Sequence, residues 1–162
     1  PTCSTSVTMA LGDALASICA MERGFKEIDF ARFHPSGSLH KLNFETIDNI
    51  MNTESLPICE KNTLLKDVII EISRGQQGAV FICEHKKLLW VFTDGDLRRC
   101  IESGIQLTAS LKDLKFSLPL TTKSYSKVSE ALDLMQSNKI SILPVIDDFG
   151  LLIGSVKLSQ CI

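Results

Sequence analysis

The chain has 162 residues, 44% of them hydrophobic, which is enough for one sizeable core or two small ones and excludes a disordered or fibrous protein. Its 17 basic and 19 acidic residues nearly cancel, which argues against nucleic acid as a partner. The apolar runs are shorter than the roughly 18 residues that a bilayer requires, so we expect a cytoplasmic protein without a membrane partner.

Six cysteines are spread along the chain without a close pair such as C-x-x-C. Several lie in apolar stretches, and a chain this rich in apolar residues does not need disulfides to fold. We therefore expect buried free thiols. We expect no metal site, and no motif indicates a cofactor.

The first predicted element is a helix from Thr5 to about Arg23, ended by Gly24. Its apolar residues continue round nearly the whole circumference, and such a helix is normally buried on several sides. The chain offers no obvious partner for it and begins with proline, so we expect a missing upstream domain or a second subunit to cover it. A short helix follows around Lys26 to Phe33, and we expect a loop in the stretch HPSGSLHKLNFET at 34–46.

The rest of the chain contains an internal repeat with an offset of about 63 residues. Two helices are predicted from apolar residues at i, i+3, i+4 and i+7, each followed by an apolar strand, a polar turn, a second apolar strand and a short helix. A unit of this size is too small to bury both faces of its sheet alone. The predicted fold class is therefore α/β (α+β), with two packed β-α-β-β-α units. The helix positions are Leu65, Val68, Ile69 and Ile72, and Val128, Ala131, Leu132 and Met135.

This duplication resembles a tandem CBS-domain pair, and LLWVFTDGDLRR is close to the T-x-x-D signature of that family. The resemblance implies a nucleotide site in which Thr93 holds the phosphate at a helix N-terminus and Asp96 holds the ribose. The alternative is a capping box formed by the same two residues without a ligand. Trp90 replaces the usual glycine and is expected to narrow the cleft.

In the second copy, Lys157 and Gln160 stand at the positions of Thr93 and Asp96. The ribose-binding aspartate is therefore lost, and we expect at most one ligand per pair. Lys157 is a weak candidate for a phosphate contact. The alternative is an ordinary solvated lysine.

The first 45 residues resemble the end of the sugar isomerase (SIS) domain of arabinose 5-phosphate isomerases. PTCSTSVTMALGDALA is similar to their P-T-x-S-T…ALGDALA segment, and FHPSGSLHKL to their H-P-G-G-A-L-G-R-K-L segment. The resemblance implies three parts: a truncated SIS remnant at 1–45 with the domain's terminal helices, a first CBS module at 46–105, and a second at 106–162.

By the same resemblance, His34 is a catalytic residue of the parent enzyme, with a pKa of about 6.5 that suits proton transfer. Its alternative role is that of a loop histidine bonded to backbone. Thr2, Ser4 and Thr5 are weak candidates for contacts with the sugar phosphate, or simply cap a helix.

The resemblance thus predicts half of an enzyme that converts ribulose 5-phosphate to arabinose 5-phosphate for lipopolysaccharide (Kdo) synthesis. We expect the fragment to be inactive alone, to form a homo-oligomer, and to bind a nucleotide or nucleotide sugar through its CBS pair. The alternative is a stand-alone CBS module that senses a ligand or dimerises, without catalysis.

Overall fold

The computed structural model describes residues 2–33 and 37–162. In chain order, the helices are α1 (Thr2–Glu22), α2 (Glu27–Phe33), α3 (Ser38–Phe44), α4 (Leu65–Gly75), α5 (Asp94–Glu102), α6 (Val128–Asn138) and α7 (Leu158–Cys161). The strands are β1 (Ile58–Cys59), β2 (Ala79–Glu84), β3 (Lys87–Thr93), β4 (Ile142–Ile146) and β5 (Leu152–Lys157). Two short 3-10 turns, at Ile47–Asn49 and Leu111–Asp113, precede the two repeats.

The predicted duplication is confirmed. In the first module β1 runs parallel to β2, which pairs antiparallel with β3. In the second module β4 and β5 form the equivalent antiparallel pair, and Thr122 makes a parallel bridge to Val145 in the place of β1. The predicted helix faces are largely buried as well, with Leu65, Val68 and Ile72 inward on α4 and Val128, Ala131 and Met135 inward on α6.

Each module has its own hydrophobic core, and each core is completed by the 3-10 turn that precedes the other repeat. Leu111 is fully buried among the core residues of the first module, while Ile47 is fully buried in the core of the second. Backbone hydrogen bonds fix both turns, because Leu111 N donates to Thr63 O at 3.0 Å and Ile47 N donates to Ser126 O at 2.9 Å. The two modules therefore exchange their leading segments.

A third apolar cluster joins the two sheets. Phe81 and Cys83 of β2 pack there with Ile142 of β4 and Leu152 of β5. Backbone bonds reinforce the contact, with Leu88 N donating to Gly150 O at 3.1 Å and Leu152 N donating to Lys86 O at 2.9 Å. The modules thus form one packed body.

The first helix is confirmed, although it begins three residues earlier than predicted and ends just before Gly24, which has a φ of +63°. None of the residues of α1, all of them in the described part of the chain, is buried. Its apolar side chains remain exposed, from 55% at Leu15 to 79% at Met21. By length and composition α1 is also apolar enough to span a membrane, so the expectation that the apolar runs are too short is wrong for this helix.

The predicted loop at 34–46 is wrong in its second half, because residues 38–44 form helix α3. Gly37 precedes this helix as its N-cap, so the glycine marks a helix start. Long-range contacts hold α3 in place: Leu42 packs on the second core, and Lys41 Nζ donates to the carbonyl oxygens of Gln160 and Ile162 at 3.2 Å each. Contacts of this kind stabilise short helices that local sequence does not predict.

The cysteines are free, but they do not all lie in the core. Cys59, Cys83 and Cys161 are buried as expected, and burial raises the pKa of the Cys59 and Cys83 thiols to about 11. Cys3 and Cys19 are exposed, so the prediction of buried thiols is wrong for these two. They lie on α1, which no other described element covers.

The exchange of leading segments predicts that truncating either buried turn destabilises the whole pair. Leu111→Ala and Ile47→Ala should each lower the free energy of unfolding by about 2–5 kcal/mol, since each leaves a cavity in a core. Urea denaturation followed by circular dichroism measures the change. Leu107→Ala is the matched control, because Leu107 is 45% exposed. An equal, small effect of all three substitutions would contradict the exchange.

Candidate ligand-binding cleft

An open cleft of about 800 Å³ lies between the two modules. The first module contributes the end of β3 and the first turns of α5, where Thr93, Asp96 and Arg99 line the cleft. The second module contributes Lys139, which follows α6, and the start of β4. The connecting segment 115–120 forms a further wall. A ligand in this cleft would therefore touch both repeats.

Thr93 and Asp96 form a complete capping box at the N-terminus of α5. Asp96 N donates to Thr93 Oγ1 at 3.2 Å, and Thr93 N donates to Asp96 Oδ2 at 2.9 Å. The Thr93 hydroxyl also donates to Asp96 Oδ2, at 2.6 Å. The capping-box alternative is thus present in the structure, and the same two residues line the cleft.

Asp96 is held in its charged form by its neighbours. Partial burial alone would raise the pKa of its carboxyl, but the hydrogen bonds from Thr93 and the ion pair with Arg99 outweigh burial and lower it. Arg99 Nη2 donates to Asp96 Oδ1 at 2.6 Å, while its side chain stays 69% exposed. A guanidinium has five N–H donors, so Arg99 keeps donors for a further partner.

The cleft has an excess of basic side chains. Arg99, Lys115 and Lys139 line it together with Asp94 and Asp96. The chain as a whole is slightly acidic, with a formal net charge of −2, so this excess is a local feature. Basic groups in a cleft favour anionic ligands.

A smaller pocket of about 330 Å³ adjoins the cleft on the α5 side. Asp96, Arg99, Lys115 and Phe116 line both cavities. The Phe116 ring stacks on Trp90, with centroids 4.8 Å apart and planes 12° apart. Of these two described residues, Phe116 lines the cleft and Trp90 does not. The Trp90 indole therefore affects the cleft by packing against the Phe116 ring.

In the second module, the side chains at the equivalent positions are bonded to other parts of the chain. Lys157 Nζ donates to Gln76 O at 2.7 Å, and Gln160 Nε2 donates to Ile50 O at 2.8 Å. Ser155 Oγ, which is buried, donates to Gln77 Oε1 at 2.7 Å. These bonds join the side chains at the end of β5 and in α7 to residues 50, 76 and 77, ahead of β2.

The N-terminal candidates lie elsewhere. Thr2, Ser4 and Thr5 are exposed on the first turns of α1, and none of them lines the cleft. His34 lies outside the described residues. Within residues 2–33 and 37–162, no group of three or more histidine, cysteine, aspartate or glutamate side chains is placed to hold a metal ion.

Sequence reasoning missed Arg99, Lys115 and Lys139. Arg99 could have been found, because it stands one helical turn after Asp96 and therefore on the same face of α5. Lys115 and Lys139 lie in a linker and at a helix end, and only the packing of the two modules brings them to the cleft. No local pattern points to either lysine.

Comparisons with known proteins give two kinds of similarity. The CBS domain family matches residues 112–162, which include α6, β4, β5 and α7. Arabinose 5-phosphate isomerase GutQ of Salmonella typhi is 36% identical over 99% of this chain and 50% of its own length, and GutQ of Escherichia coli K12 is 35% identical over the same shares. An uncharacterized Helicobacter pylori protein is 34% identical over 99% of this chain and 49% of its own length. The chain spans about half the length of these relatives.

Solved CBS-domain structures share the fold at low sequence identity. CBSX2 from Arabidopsis thaliana, solved in complex with AMP, has a TM-score of 0.62 and 22% identity over 72% of this chain and 92% of that chain. A CBS domain protein from Pyrobaculum aerophilum complexed with AMP has a TM-score of 0.66 and 15% identity, over 72% and 89%. A CBS domain pair with 5′-methylthioadenosine and S-adenosyl-L-methionine has a TM-score of 0.64 and 17% identity, over 72% and 91%.

The capping box predicts a pH-dependent contribution of Asp96 to stability. Because the folded state lowers the pKa of Asp96, its contribution is present above the unfolded value of about 4 and is lost as the pH falls through the folded value. Asp96→Asn should therefore destabilise the chain at pH 6–8, and the difference from the unsubstituted chain should shrink below about pH 4. Urea denaturation across this range measures it.

Asp133→Asn is the matched control, since it removes an exposed carboxylate from α6. The change that Asp133→Asn causes in the free energy of unfolding should not show the pH dependence expected for Asp96→Asn. A difference between Asp96→Asn and the unsubstituted chain that stayed constant from pH 7 to pH 2 would show that the charge of Asp96 does not contribute.

Proposed function

We propose that this chain, which is 35–36% identical to GutQ arabinose 5-phosphate isomerases over 99% of its length and has the fold of a CBS-domain pair, is the ligand-sensing part of such an enzyme. The ligand is a nucleotide or nucleotide sugar, bound in the cleft beside Thr93 and Asp96. The observation that carries the proposal is the open cleft between the modules, which combines a helix N-terminus, a carboxylate and an excess of basic groups.

Two further observations support a single nucleotide site. AMP is the ligand in two of the solved CBS structures that share this fold. In this chain the cleft at Thr93 is open, whereas Lys157 and Gln160 of the second module are bonded to Gln76 and Ile50. Lys157 therefore has no part in ligand binding in this proposal, and one ligand binds per pair.

The proposed activity of the whole enzyme is the interconversion of ribulose 5-phosphate and arabinose 5-phosphate, in the cytoplasm, for Kdo and lipopolysaccharide synthesis. This reaction moves a proton between C1 and C2 through an enediol and needs an acid/base group. His34 is the proposed acid/base residue of this chain, and Thr2, Ser4 and Thr5 are proposed to border the sugar-phosphate site. The remaining catalytic groups are proposed to lie in the half of the relatives' length that this chain does not span.

The exposed apolar surface of α1 supports this assignment. Side chains such as Leu11 and Ile18 are more than half exposed on a helix that no other described element covers. A surface of this kind marks an interface. We assign residues 1–45 to the end of the SIS domain, 46–105 to the first CBS module and 106–162 to the second, with the SIS domain and a second subunit covering α1.

Nucleotide binding is tested by isothermal titration calorimetry of the chain with adenine nucleotides and cytidine-activated Kdo. We expect one binding event per chain. Asp96→Ala should weaken binding about tenfold or more, since it removes the acceptor of the ribose hydroxyls. Lys157→Ala, which changes the second-module counterpart of Thr93, is the control and should leave the affinity unchanged. If no ligand gives a binding signal, the modules would have only a structural role, as spacers.

The isomerase assignment predicts that the 162-residue chain alone does not turn over ribulose 5-phosphate. A histidine without the substrate pocket and phosphate contacts cannot orient the reacting carbons. Formation of arabinose 5-phosphate, followed by chromatography, should stay at the level of buffer. Turnover by the chain would refute this assignment of roles, and a gene that starts near residue 1 would favour the stand-alone module.

A further inference from the structure

We propose that Arg99 and Lys115 form an anion-binding junction, so that the cleft recognises a phosphorylated nucleoside by its phosphate and rejects the neutral nucleoside. The proposal rests on the proposed function, since it concerns the same cleft. It changes the role of Thr93, which the resemblance alone makes the phosphate-binding residue.

The Thr93 hydroxyl is already committed within the capping box. Its one O–H donates to Asp96 Oδ2 at 2.6 Å, and its oxygen accepts from Asp96 N at 3.2 Å. A phosphate needs donors, and a hydroxyl has one proton to donate. Thr93 therefore cannot bind a phosphate unless the capping box opens.

Arg99 has the donors that Thr93 lacks. One of its N–H groups bonds Asp96 Oδ1 at 2.6 Å, the side chain is 69% exposed, and Arg99 lines the cleft, so it keeps N–H donors for a ligand there. The ion pair with Asp96 keeps the guanidinium beside the first turn of the helix. The guanidinium lies close to Gly95, since a Cβ built on that glycine would be 3.5 Å from Arg99 Nη1. An arginine held in this way is suited to bind phosphate through two donors.

Lys115 supplies the second positive charge. It lines both the cleft of about 800 Å³ and the adjoining pocket of about 330 Å³, as Arg99 does. A phosphate between Arg99 and Lys115 would lie where the two cavities meet, with the ribose toward Asp96. Lys139 of the second module lines the cleft as well, so it adds a third positive charge near the anion.

The test compares each nucleotide with its own nucleoside, AMP with adenosine and CMP with cytidine, by calorimetry on the 162-residue chain. We expect the nucleotide of the preferred base to bind at least tenfold more tightly than its nucleoside. Higher salt should weaken the nucleotide and leave the nucleoside unchanged. Lys115→Gln and Arg99→Gln should each lower nucleotide affinity about tenfold with little effect on the nucleoside, since each removes a charge-assisted contact.

Lys112→Gln and Arg98→Gln are the matched controls, because both side chains are exposed and neither lines the cleft or the pocket. Equal affinity for nucleotide and nucleoside would overturn the junction and leave the proposed function standing. A loss with Lys112→Gln as large as that with Lys115→Gln would also overturn it, since the attraction would then be nonspecific. Binding of neither nucleotide nor nucleoside would overturn the proposed function and the junction together.

Discussion

The exchange of two short apolar turns determines how the molecule is put together. Ile47 precedes the first repeat but lies in the core of the second, and Leu111 precedes the second repeat but lies in the core of the first. Neither core is complete without a segment from outside its own repeat. The modules therefore cannot separate without opening both cores, and dense cores resist such opening. The exchange of the two turns therefore also fixes the shape of the cleft between the modules.

Within this symmetric frame, a few polar side chains make the two halves different. At the end of β3, Thr93 and Asp96 bond each other and leave the space between the modules open. At the end of β5, Lys157 Nζ donates to Gln76 O at 2.7 Å, so the side chain bonds the first module. Gln160 stands at the position of Asp96, and both ends of its amide are bonded within the chain, since Oε1 accepts from Lys157 N at 2.7 Å and Nε2 donates to Ile50 O at 2.8 Å. One repeat thus keeps a candidate site, while the other uses the same positions to hold the modules together.

The sequence predicted the structural features that depend on residues close together in the chain. The spacing of Leu65, Val68 and Ile72 predicted both α4 and its buried face, and T-x-x-D predicted the capping box at α5. Helix α3 was missed because Leu42 and Lys41 stabilise it through contacts with residues far along the chain. The exchange of turns was missed for a similar reason, since periodicity does not say which core a turn joins. Lys115 and Lys139 depend on the packing of the two modules and could not be predicted from spacing.

The packing also connects the cleft with the N-terminal helices. Lys139 lines the cleft at the C-terminal end of α6, and α6 packs against α3. Helix α3 packs in turn against α2, which follows α1 after Gly24. Packing contacts therefore run from the end of α6 at the cleft through α3 to α2. Helices α2 and α3 are thereby fixed on the second module, whereas none of the described residues of α1 is buried.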